Sequence, residues 1–311
     1  MAPETVAIID IGSNSIKLLV AGRATDGALC SHLMHTVDAR ISAGISREHP
    51  RLSAAGMAAG LAAVRELVAR AAPLAPARTV MVATSAVRDA ENGAEFRAEV
   101  QAATGVAVRL LSGEEEANYI GRGLASDPVL SGLRDFYVFD LGGGSLECLA
   151  FRDRRVVQAV SLPLGCVRLT ERFVADASGP FAAAARSAIM AHSRQVISDA
   201  GFVFNLPGAN AVFAGGSMTT LRMVLGARTG KALKETPAII GVAELRSVLD
   251  SVSILPLAER QSIEGLPAAR ADVFPAALAT ILAIAEAGSL PVFQHSLYNL
   301  RWGLAAELLM P

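Results

Sequence analysis

The chain of 311 residues lacks the features that mark several classes of protein. Its net charge is −1 and its pI is about 6.5, so no excess of positive charge prepares it for nucleic acid. Its three cysteines, none of them in a Cys-x-x-Cys pair, exclude a disulfide framework. No apolar run is long enough to cross a bilayer, and the first residues have no basic flank. We therefore expect a cytoplasmic protein that binds neither nucleic acid nor membranes.

What the sequence does contain is a short turn that occurs twice. The apolar stretches Val6–Val20 and Phe136–Ala150 are each interrupted by a turn with an aspartate, a glycine and a hydroxyl side chain. Such stretches predict β-hairpins, and the turns leave backbone N–H groups that can converge on an anion. One such turn would be explained by the conformational needs of glycine alone. Its repetition, with a third glycine turn at Gly215 and Gly216, favours phosphate binding.

Each predicted hairpin also carries one carboxylate, Asp10 in the first and Asp140 in the second. A carboxylate beside a phosphate repels it unless a cation lies between them. The pair therefore indicates a divalent metal ion or a water network.

Two further side chains are candidates for chemistry. Arg88 follows a short predicted strand, where ligands of open α/β sheets lie, and it either binds phosphate or pairs with Asp89 or Glu91. Ser112 and Glu115 have the spacing of a capping box at a helix start. Glu116 lies one residue beyond that box and points about 100° away, where a carboxylate can act as a general base for water.

Alternating β and α patterns along the chain predict an α/β protein with helices layered on sheets. The segment Ala125–Asp135 is the best linker candidate, because it contains a proline, a glycine and mixed polar residues. The second copy of the hairpin begins directly after it. An amphipathic helix is predicted around Leu300–Leu309.

These segments together resemble the exopolyphosphatase and guanosine pentaphosphate phosphohydrolase family, within the fold group of actin, Hsp70 and sugar kinases. The resemblance runs nearly end to end. It is carried by Asp10–Ser15, Ala83–Arg88, Ser112–Ala117, Asp140–Ser145 with Glu147, Leu162–Gly165, Gly215–Gly216 and Arg270–Asp272. It implies two duplicated ribonuclease H-like (actin-like ATPase) domains with an interdomain cleft. The expected domain I covers 1–125, with the helix at about 298–311 packing back on it, and domain II covers 126–297.

The resemblance also implies a role for each motif. Glu116 would be the catalytic base, Arg88 would grip the terminal phosphates, and Asp10 and Asp140 would organise a Mg²⁺ site that Mn²⁺ can also fill. Glu147 would be a second carboxylate at the metal or the water. The phosphate path would be lined by Ser13, Asn14, Ser15, Gly142, Gly143, Gly144, Ser145, Gly215, Gly216 and Ser217.

Three departures from the family pattern bear on these expectations. Ser217 replaces a common threonine but keeps the hydroxyl, and Pro275 is expected in the first turn of its helix. Longer relatives continue into an extra helical domain, whereas this sequence ends at Pro311, which leaves the preferred substrate open.

We expect release of orthophosphate from inorganic polyphosphate, with guanosine pentaphosphate as the alternative substrate. An ATP-dependent kinase and a non-enzymatic nucleotide sensor of the same fold are the competing functions. A homodimer is among the open oligomeric states.

Overall fold

The computed structural model describes residues 4–42 and 50–310. The backbone divides into two compact units. The first comprises Met1–Gly132 together with Tyr298–Pro311, and the second comprises Leu133–Leu297. Each unit buries its own set of apolar side chains, so each has a separate core.

The first unit is built on a sheet of five strands. Its strands are β1 (Val6–Ile11), β2 (Ile16–Arg23), β3 (Leu29–Val37), β4 (Arg78–Ala83) and β5 (Val108–Leu110). They lie in the order β3-β2-β1-β4-β5, antiparallel from β3 to β1 and parallel from β1 to β5. The helices that follow the hairpin are α1 (Ala54–Ala71), α2 (Ser85–Asp89), α3 (Gly93–Thr104) and α4 (Gly113–Ala125).

The second unit is built on a sheet of six strands. Its strands are β6 (Phe136–Leu141), β7 (Leu146–Arg152), β8 (Arg155–Leu162), β9 (Asn210–Ala214), β10 (Ile239–Gly241) and β11 (Val292–His295). They lie in the order β10-β11-β9-β6-β7-β8. Its helices are α5 (Cys166–Phe173), α6 (Ala183–Asp199), α7 (Gly216–Ala227), α8 (Val242–Ser253), α9 (Leu257–Arg260) and α10 (Phe274–Gly288).

The two sheets have the same topology. In each, the first strand is central, the next two strands extend one side as an antiparallel meander, and later strands join the other side in parallel after helical connections. The predicted fold class, a duplicated α/β arrangement of the ribonuclease H-like type, is confirmed. Strand β10, which pairs antiparallel with β11 at the edge of the second sheet, is an addition that sequence analysis did not predict.

Local sequence explains where the helices begin. Ser112 caps α4, and the capping box with Glu115 is present as predicted. Pro275 lies in the first turn of α10, also as predicted, where its missing N–H costs nothing. Twelve successive residues of α10 are buried, which explains why that helix is apolar on all sides.

The last helix, α11 (Leu300–Leu308), belongs to the first unit. It packs against α4 so closely that a Cβ atom on Gly303 would overlap the backbone of Tyr119. Arg301 donates a hydrogen bond of 2.9 Å to the carbonyl of Leu18 in β2. The prediction of an amphipathic helix is wrong for its first turns, where every residue from Leu300 to Ala305 is buried. The reason is that α11 lies between α4 and the sheet and therefore has no wet face there.

Candidate active site

In the first unit, strands β1 and β2 place Asp10 directly opposite Lys17. The turn between them is closed by a hydrogen bond of 3.2 Å from the Gly12 N–H to the Ser15 carbonyl. Burial raises the pKa of Asp10, while the charges of Lys17 and Arg301 oppose that rise. The ionised carboxylate of Asp10 is therefore destabilised by its surroundings and would be stabilised by a further cation.

The peptide groups of this turn face two different ways. The carbonyl of Ser13 accepts from the Ser42 N–H at 3.2 Å, and the carbonyl of Asn14 accepts from the Arg40 N–H at 2.9 Å. Among the described residues, the N–H groups of Ser13, Asn14 and Ser15 make no hydrogen bond. Within residues 4–42 and 50–310, the buried amide of Asn14 also has no partner for its oxygen or its nitrogen. Because buried polar groups are normally paired, this turn has spare donors for a ligand.

Arg88 and Glu116 are brought together by α2 and α4. Arg88 Nη1 lies 3.2 Å from Glu116 Oε2 and donates to the carbonyl of Leu111 at 2.8 Å. Glu115 instead reaches back to the Ser112 N–H and pairs with Arg109. The predicted divergence of the two glutamates is confirmed, since Glu116 is buried whereas the Glu115 side chain is 42% exposed.

Sequence analysis left two roles open for Arg88, phosphate binding and pairing with Asp89 or Glu91. Its Nε lies 3.8 Å from Asp89 Oδ1, and its Nη1 contacts Glu116. The side chain is about one quarter exposed, so part of the guanidinium remains accessible to an anion. The hydroxyl of Ser85, which opens α2, lies 3.3 Å from the hydroxyl of Ser13 and joins this helix to the hairpin turn.

In the second unit, strands β6 and β7 place Asp140 directly opposite Glu147. The Gly142 N–H donates to the Ser145 carbonyl at 3.0 Å, which closes the turn as Gly12 closes the first. Glu147 is buried, and its Oε1 accepts a hydrogen bond of 2.8 Å from Ser161. The position that holds Lys17 in the first hairpin thus holds an acid in the second.

The turn of the second hairpin is held by the start of α5. The carbonyls of Gly142 and Gly143 accept from the N–H groups of Cys166 and Val167, at 3.0 and 2.9 Å. The Gly144 carbonyl accepts from Arg168 Nε at 3.1 Å. No described residue accepts from the N–H groups of Gly143, Gly144 and Ser145. The carbonyls are hydrogen-bonded to α5 and three N–H groups remain, so the turn has the donors that a main-chain anion cradle requires.

This cradle depends on a close approach at Gly165. A Cβ atom at that position would overlap the carbonyl of Gly143. Any side chain there would push α5 away from the turn and release the carbonyls that it holds.

The third glycine turn lies beside the second hairpin. Gly215 has φ = 89°, and a Cβ there would overlap the carboxylate of Asp140. Ser217 donates to the Leu141 carbonyl at 3.3 Å. Helix α7 begins at Gly216 with no side-chain cap, so its first N–H groups are a second source of anion donors in this unit.

Arg270 lies against this helix start and was not predicted as a site residue. Its guanidinium packs on the position where a Cβ of Gly216 would be, and it has no hydrogen-bond partner among the described residues. A cation at the positive end of a helix is unfavourable unless an anion accompanies it. Arg270 belongs to the Arg270–Asp272 motif named above. Its contact is with Gly216, 54 positions earlier in the chain, so no local sequence pattern could predict it.

A chain of buried hydrogen bonds, called the relay below, ends on the backbone of the third glycine turn. Arg222 Nη1 lies 3.3 Å from His295 Nδ1, His295 Nε2 lies 3.1 Å from the Thr219 hydroxyl, and Thr219 donates to the Gly215 carbonyl at 2.9 Å. Because guanidinium only donates, Nδ1 accepts and Nε2 carries the proton. Burial, reinforced by the charge of Arg222, lowers the pKa of His295 to about 3. Sequence analysis did not predict these contacts of His295 with Arg222 and Thr219.

The predicted residues therefore form one cluster in each unit. The first contains Asp10, Ser13, Asn14, Ser15, Arg88 and Glu116. The second contains Asp140, Gly142, Gly143, Gly144, Ser145, Glu147, Gly215, Gly216 and Ser217. The two aspartates expected to organise a metal belong to different units, and within the described part of the chain no three acidic, histidine or cysteine side chains form a ready metal site.

Comparison with known proteins places these clusters in context. The family model described as the Ppx/GppA phosphatase family matches residues 20–310. The chain is similar to an exopolyphosphatase from Cytophaga hutchinsonii, at 20% identity over 98% of each chain with a TM-score of 0.88. It is similar to a Ppx/GppA family member from Aquifex aeolicus, at 25% identity over 98% of each chain with a TM-score of 0.79. An exopolyphosphatase-like protein matches at 24% identity, over 99% of this chain and 98% of the other, with a TM-score of 0.89.

The helices of the protein are not membrane-spanning segments in the part of the chain that the structure describes. In residues 4–42 and 50–310, none combines the length and the apolar character that crossing a bilayer requires.

Proposed function

Because the chain belongs to the Ppx/GppA phosphatase family, we propose that it is an exopolyphosphatase that releases terminal orthophosphate from inorganic polyphosphate. Membership makes it a hydrolase acting on phosphoric anhydrides. The observation that supports polyphosphate is the repeated hairpin turn, whose carbonyls are tied back while its N–H groups stay available in both units. Such donors recognise phosphate groups and read no base.

In this proposal Glu116 is the general base. It is buried, it lies beyond the capping box, and Arg88 fixes one of its oxygens at 3.2 Å. A carboxylate held in this way can take a proton from the attacking water while the exposed part of Arg88 holds the terminal phosphate. The reaction breaks the terminal P–O–P bond, water adds to the terminal phosphorus, and the shortened chain leaves as the other product.

In the second cluster, we assign phosphate binding to Gly143, Gly144 and Ser145 through their N–H groups and to the start of α7. Arg270 joins them, because its guanidinium lies at that helix start without a partner in the described structure. In the first cluster, we assign phosphate binding to Ser13, Asn14 and Ser15. Each contact is with phosphate oxygen, which suits a substrate made of identical units.

Phosphatases of this family generally depend on a divalent metal. The carboxylates available here, Asp10, Asp140 and Glu147, offer only hard oxygen ligands, which Mg²⁺ and Mn²⁺ prefer. The raised pKa of Asp10 fits as well, since its buried carboxylate needs more positive charge than Lys17 and Arg301 provide. We propose that Asp10 and Asp140 are ligands of Mg²⁺, with Glu147 at the metal or the water, and that the ion when bound would offset the negative charge of the phosphates.

Guanosine pentaphosphate is the second candidate substrate, and one feature of the second unit favours it. A cavity of about 590 Å³ lies beside α7, with apolar side chains from Met223, Ala227 and Leu233 and one carboxylate from Glu264. A carboxylate can accept hydrogen bonds from the edge of a guanine base. This cavity is lined by residues two to three turns along the helix whose start binds phosphate in our proposal.

The test compares kcat/KM for long-chain polyphosphate, tripolyphosphate and guanosine pentaphosphate at matched Mg²⁺. We expect the highest value for a polyphosphate. A clear advantage for the nucleotide over both polymers would overturn this assignment and favour the alternative. Glu264→Gln sharpens the comparison, because it should lower kcat/KM for the nucleotide only if the cavity binds its base.

A further inference from the structure

The hairpin turn between β7 and β8 lies at the opposite end of β7 from the Gly142–Ser145 turn. Its two turn residues, Asp153 and Arg154, both have positive φ, at 50° and 61°. The turn is clamped to the preceding segment: the Asp153 N–H donates to Asp135 at 2.8 Å, and the Arg154 N–H donates to the Arg134 carbonyl at 2.9 Å. The tip of the hairpin is therefore anchored at two points.

The clamp occupies both carboxylates of the tip. Asp135 accepts the Asp153 N–H, and Asp153 pairs with Arg134, whose Nε lies 3.0 Å from its Oδ1. Arg152 and Arg155 then face each other as direct cross-strand partners, with both side chains exposed. Neither has a carboxylate within 4.0 Å in the described part of the chain. Like charges directly opposite each other destabilise a strand pair, so this arrangement favours an anion between them.

The two arginines line a cavity of about 500 Å³ together with Arg134, Asp153 and Val157. Guanidinium groups bind phosphate oxygens in pairs, and no aromatic side chain lines this cavity. Single-stranded nucleic acids are bound with stacking aromatic residues as well as charge. The chemistry of the cavity therefore fits a phosphate polyanion without bases.

The distance from this cavity to the Gly142–Ser145 turn determines how long a polyanion must be to reach both. Strand β7 has seven residues, so its ends lie roughly 20 Å apart at about 3.3 Å per residue. Tripolyphosphate cannot reach both ends, whereas a long chain can. We propose that Arg152 and Arg155 form an accessory site that holds internal phosphates of long-chain inorganic polyphosphate while its end is hydrolysed. This inference rests on the proposed function. Holding the chain at a second point raises its effective concentration at the first.

The variant Arg152→Thr/Arg155→Thr tests the site with a residue that suits β-strands. We expect KM for long-chain polyphosphate to rise about fivefold to tenfold, with kcat and the KM for tripolyphosphate unchanged, because only the second attachment is lost. The matched control, Arg78→Thr/Lys234→Thr, removes two exposed positive charges elsewhere and should leave all three values unchanged. An unchanged KM for the long chain in the tip variant, or an equal rise in the control, would overturn the site.

A charge-preserving variant separates recognition from folding. Arg152→Lys/Arg155→Lys should raise KM for the long chain by less than the threonine variant does, since lysine retains the positive charge but lacks the paired donors of guanidinium. Equal losses in the threonine and lysine variants would assign the effect to the hairpin structure and contradict the proposal. Competition by a single-stranded DNA of matched charge should be weak; full displacement of polyphosphate would reassign the tip as a nucleic-acid surface.

Direct binding of long-chain polyphosphate, measured with Mg²⁺ chelated, distinguishes failure of this site from failure of the proposed function. Tighter binding by the natural protein than by the threonine variant, with no hydrolysis of polyphosphate by either protein once Mg²⁺ is restored, supports the site and overturns the exopolyphosphatase assignment. Equal binding by both proteins, with hydrolysis of polyphosphate intact, overturns the site alone.

Discussion

The turn of the first hairpin carries Ser13, Asn14 and Ser15, whereas the turn of the second carries three glycines followed by Ser145. Opposite its aspartate the first hairpin has Lys17 and the second has Glu147. The backbone hydrogen bonds are nevertheless the same in kind, since both turns are closed by a glycine N–H and both have their carbonyls tied to another segment. The two turns therefore share their backbone hydrogen bonding and differ in the side chains around it.

This difference suggests a division of labour. The first unit contains the buried Glu116 with Arg88 and, among the described residues, an unpaired side-chain amide at Asn14, so we propose that it supplies the chemistry through side chains. The second unit contains main-chain donors, an uncapped helix start and Arg270, so we propose that it mainly holds phosphate. Variants of the first unit should lower turnover, and variants of the second should weaken binding.

The largest expected effect is on turnover in the first unit. Glu116→Gln keeps the size of the side chain and removes the base, so kcat should fall by about 10²–10⁴ while KM changes little. Steady-state phosphate release, with circular dichroism to verify folding, measures both. The control Glu114→Gln changes a neighbouring exposed carboxylate and should be neutral. Full turnover by the Glu116 variant would remove this residue from the mechanism.

The next effect concerns Arg270 in the second unit. Arg270→Gln removes a charge that we assign to phosphate, so KM should rise roughly 10-fold to 100-fold, the usual worth of a charge-assisted hydrogen bond. Arg228→Gln, on the exposed surface of the same unit, is the matched control. A fall in kcat with KM preserved would place Arg270 at the chemical step and contradict the division between the units.

The main-chain cradle is tested at Gly165. Gly165→Ala places a methyl group against the Gly143 carbonyl and should displace α5, at a cost of about 1–3 kcal/mol. The cradle would lose its geometry, and KM should rise roughly 5-fold to 100-fold. Gly132→Ala is the control, since a Cβ there meets nothing within 4 Å. If Gly165→Ala binds polyphosphate normally, the second turn is not a phosphate cradle.

The proposed Mg²⁺ site is tested by replacing Asp10 and Asp140 one at a time. Asp10→Asn and Asp140→Asn should each raise the Mg²⁺ concentration needed for half-maximal activity by roughly tenfold or more. Mn²⁺ should restore activity better than Zn²⁺, since the carboxylates offer no nitrogen or sulfur ligands. Activity that survives exhaustive chelation would contradict the proposed Mg²⁺ site.

The smallest effect on activity and the clearest effect of pH concern His295. Its pKa is about 3 in the folded protein and about 6.5 in an unfolded chain, so the unfolded state binds the proton more readily. The stability that neutral His295 provides is present above about pH 6.5 and is lost as pH falls toward 3. At pH 4.5 the loss should be about 2–3 kcal/mol.

Urea unfolding of the natural protein and of His295→Gln between pH 4.5 and 8 measures this loss. The difference in stability between the two proteins should change by that amount over the range, because glutamine does not titrate. Parallel curves for the two proteins would show that His295 is not held neutral by the relay.

Local chemistry explains what sequence analysis could predict. The capping box at Ser112, the glycine turns and the continuous apolar runs of β1 and β6 are set by neighbouring residues, so the sequence predicts the hairpins, the helix start at Ser112 and the divergence of Glu116. The contact of Arg270 with Gly216 and the relay from Arg222 to His295 join positions 54 and 73 residues apart. These depend on which elements become neighbours, which no local pattern encodes. The edge strand β10, of three residues, is too short to leave a periodic signal.

The division of labour is tested most directly by measuring binding and chemistry separately, with long-chain polyphosphate in single-turnover experiments on Glu116→Gln and Gly165→Ala. We expect Glu116→Gln to keep its Kd for polyphosphate and to lose the rate of phosphate release, whereas Gly165→Ala should bind polyphosphate more weakly and release phosphate at a near-normal rate once saturated. The reverse pattern, or equal losses of Kd and rate in both variants, would contradict this division of labour.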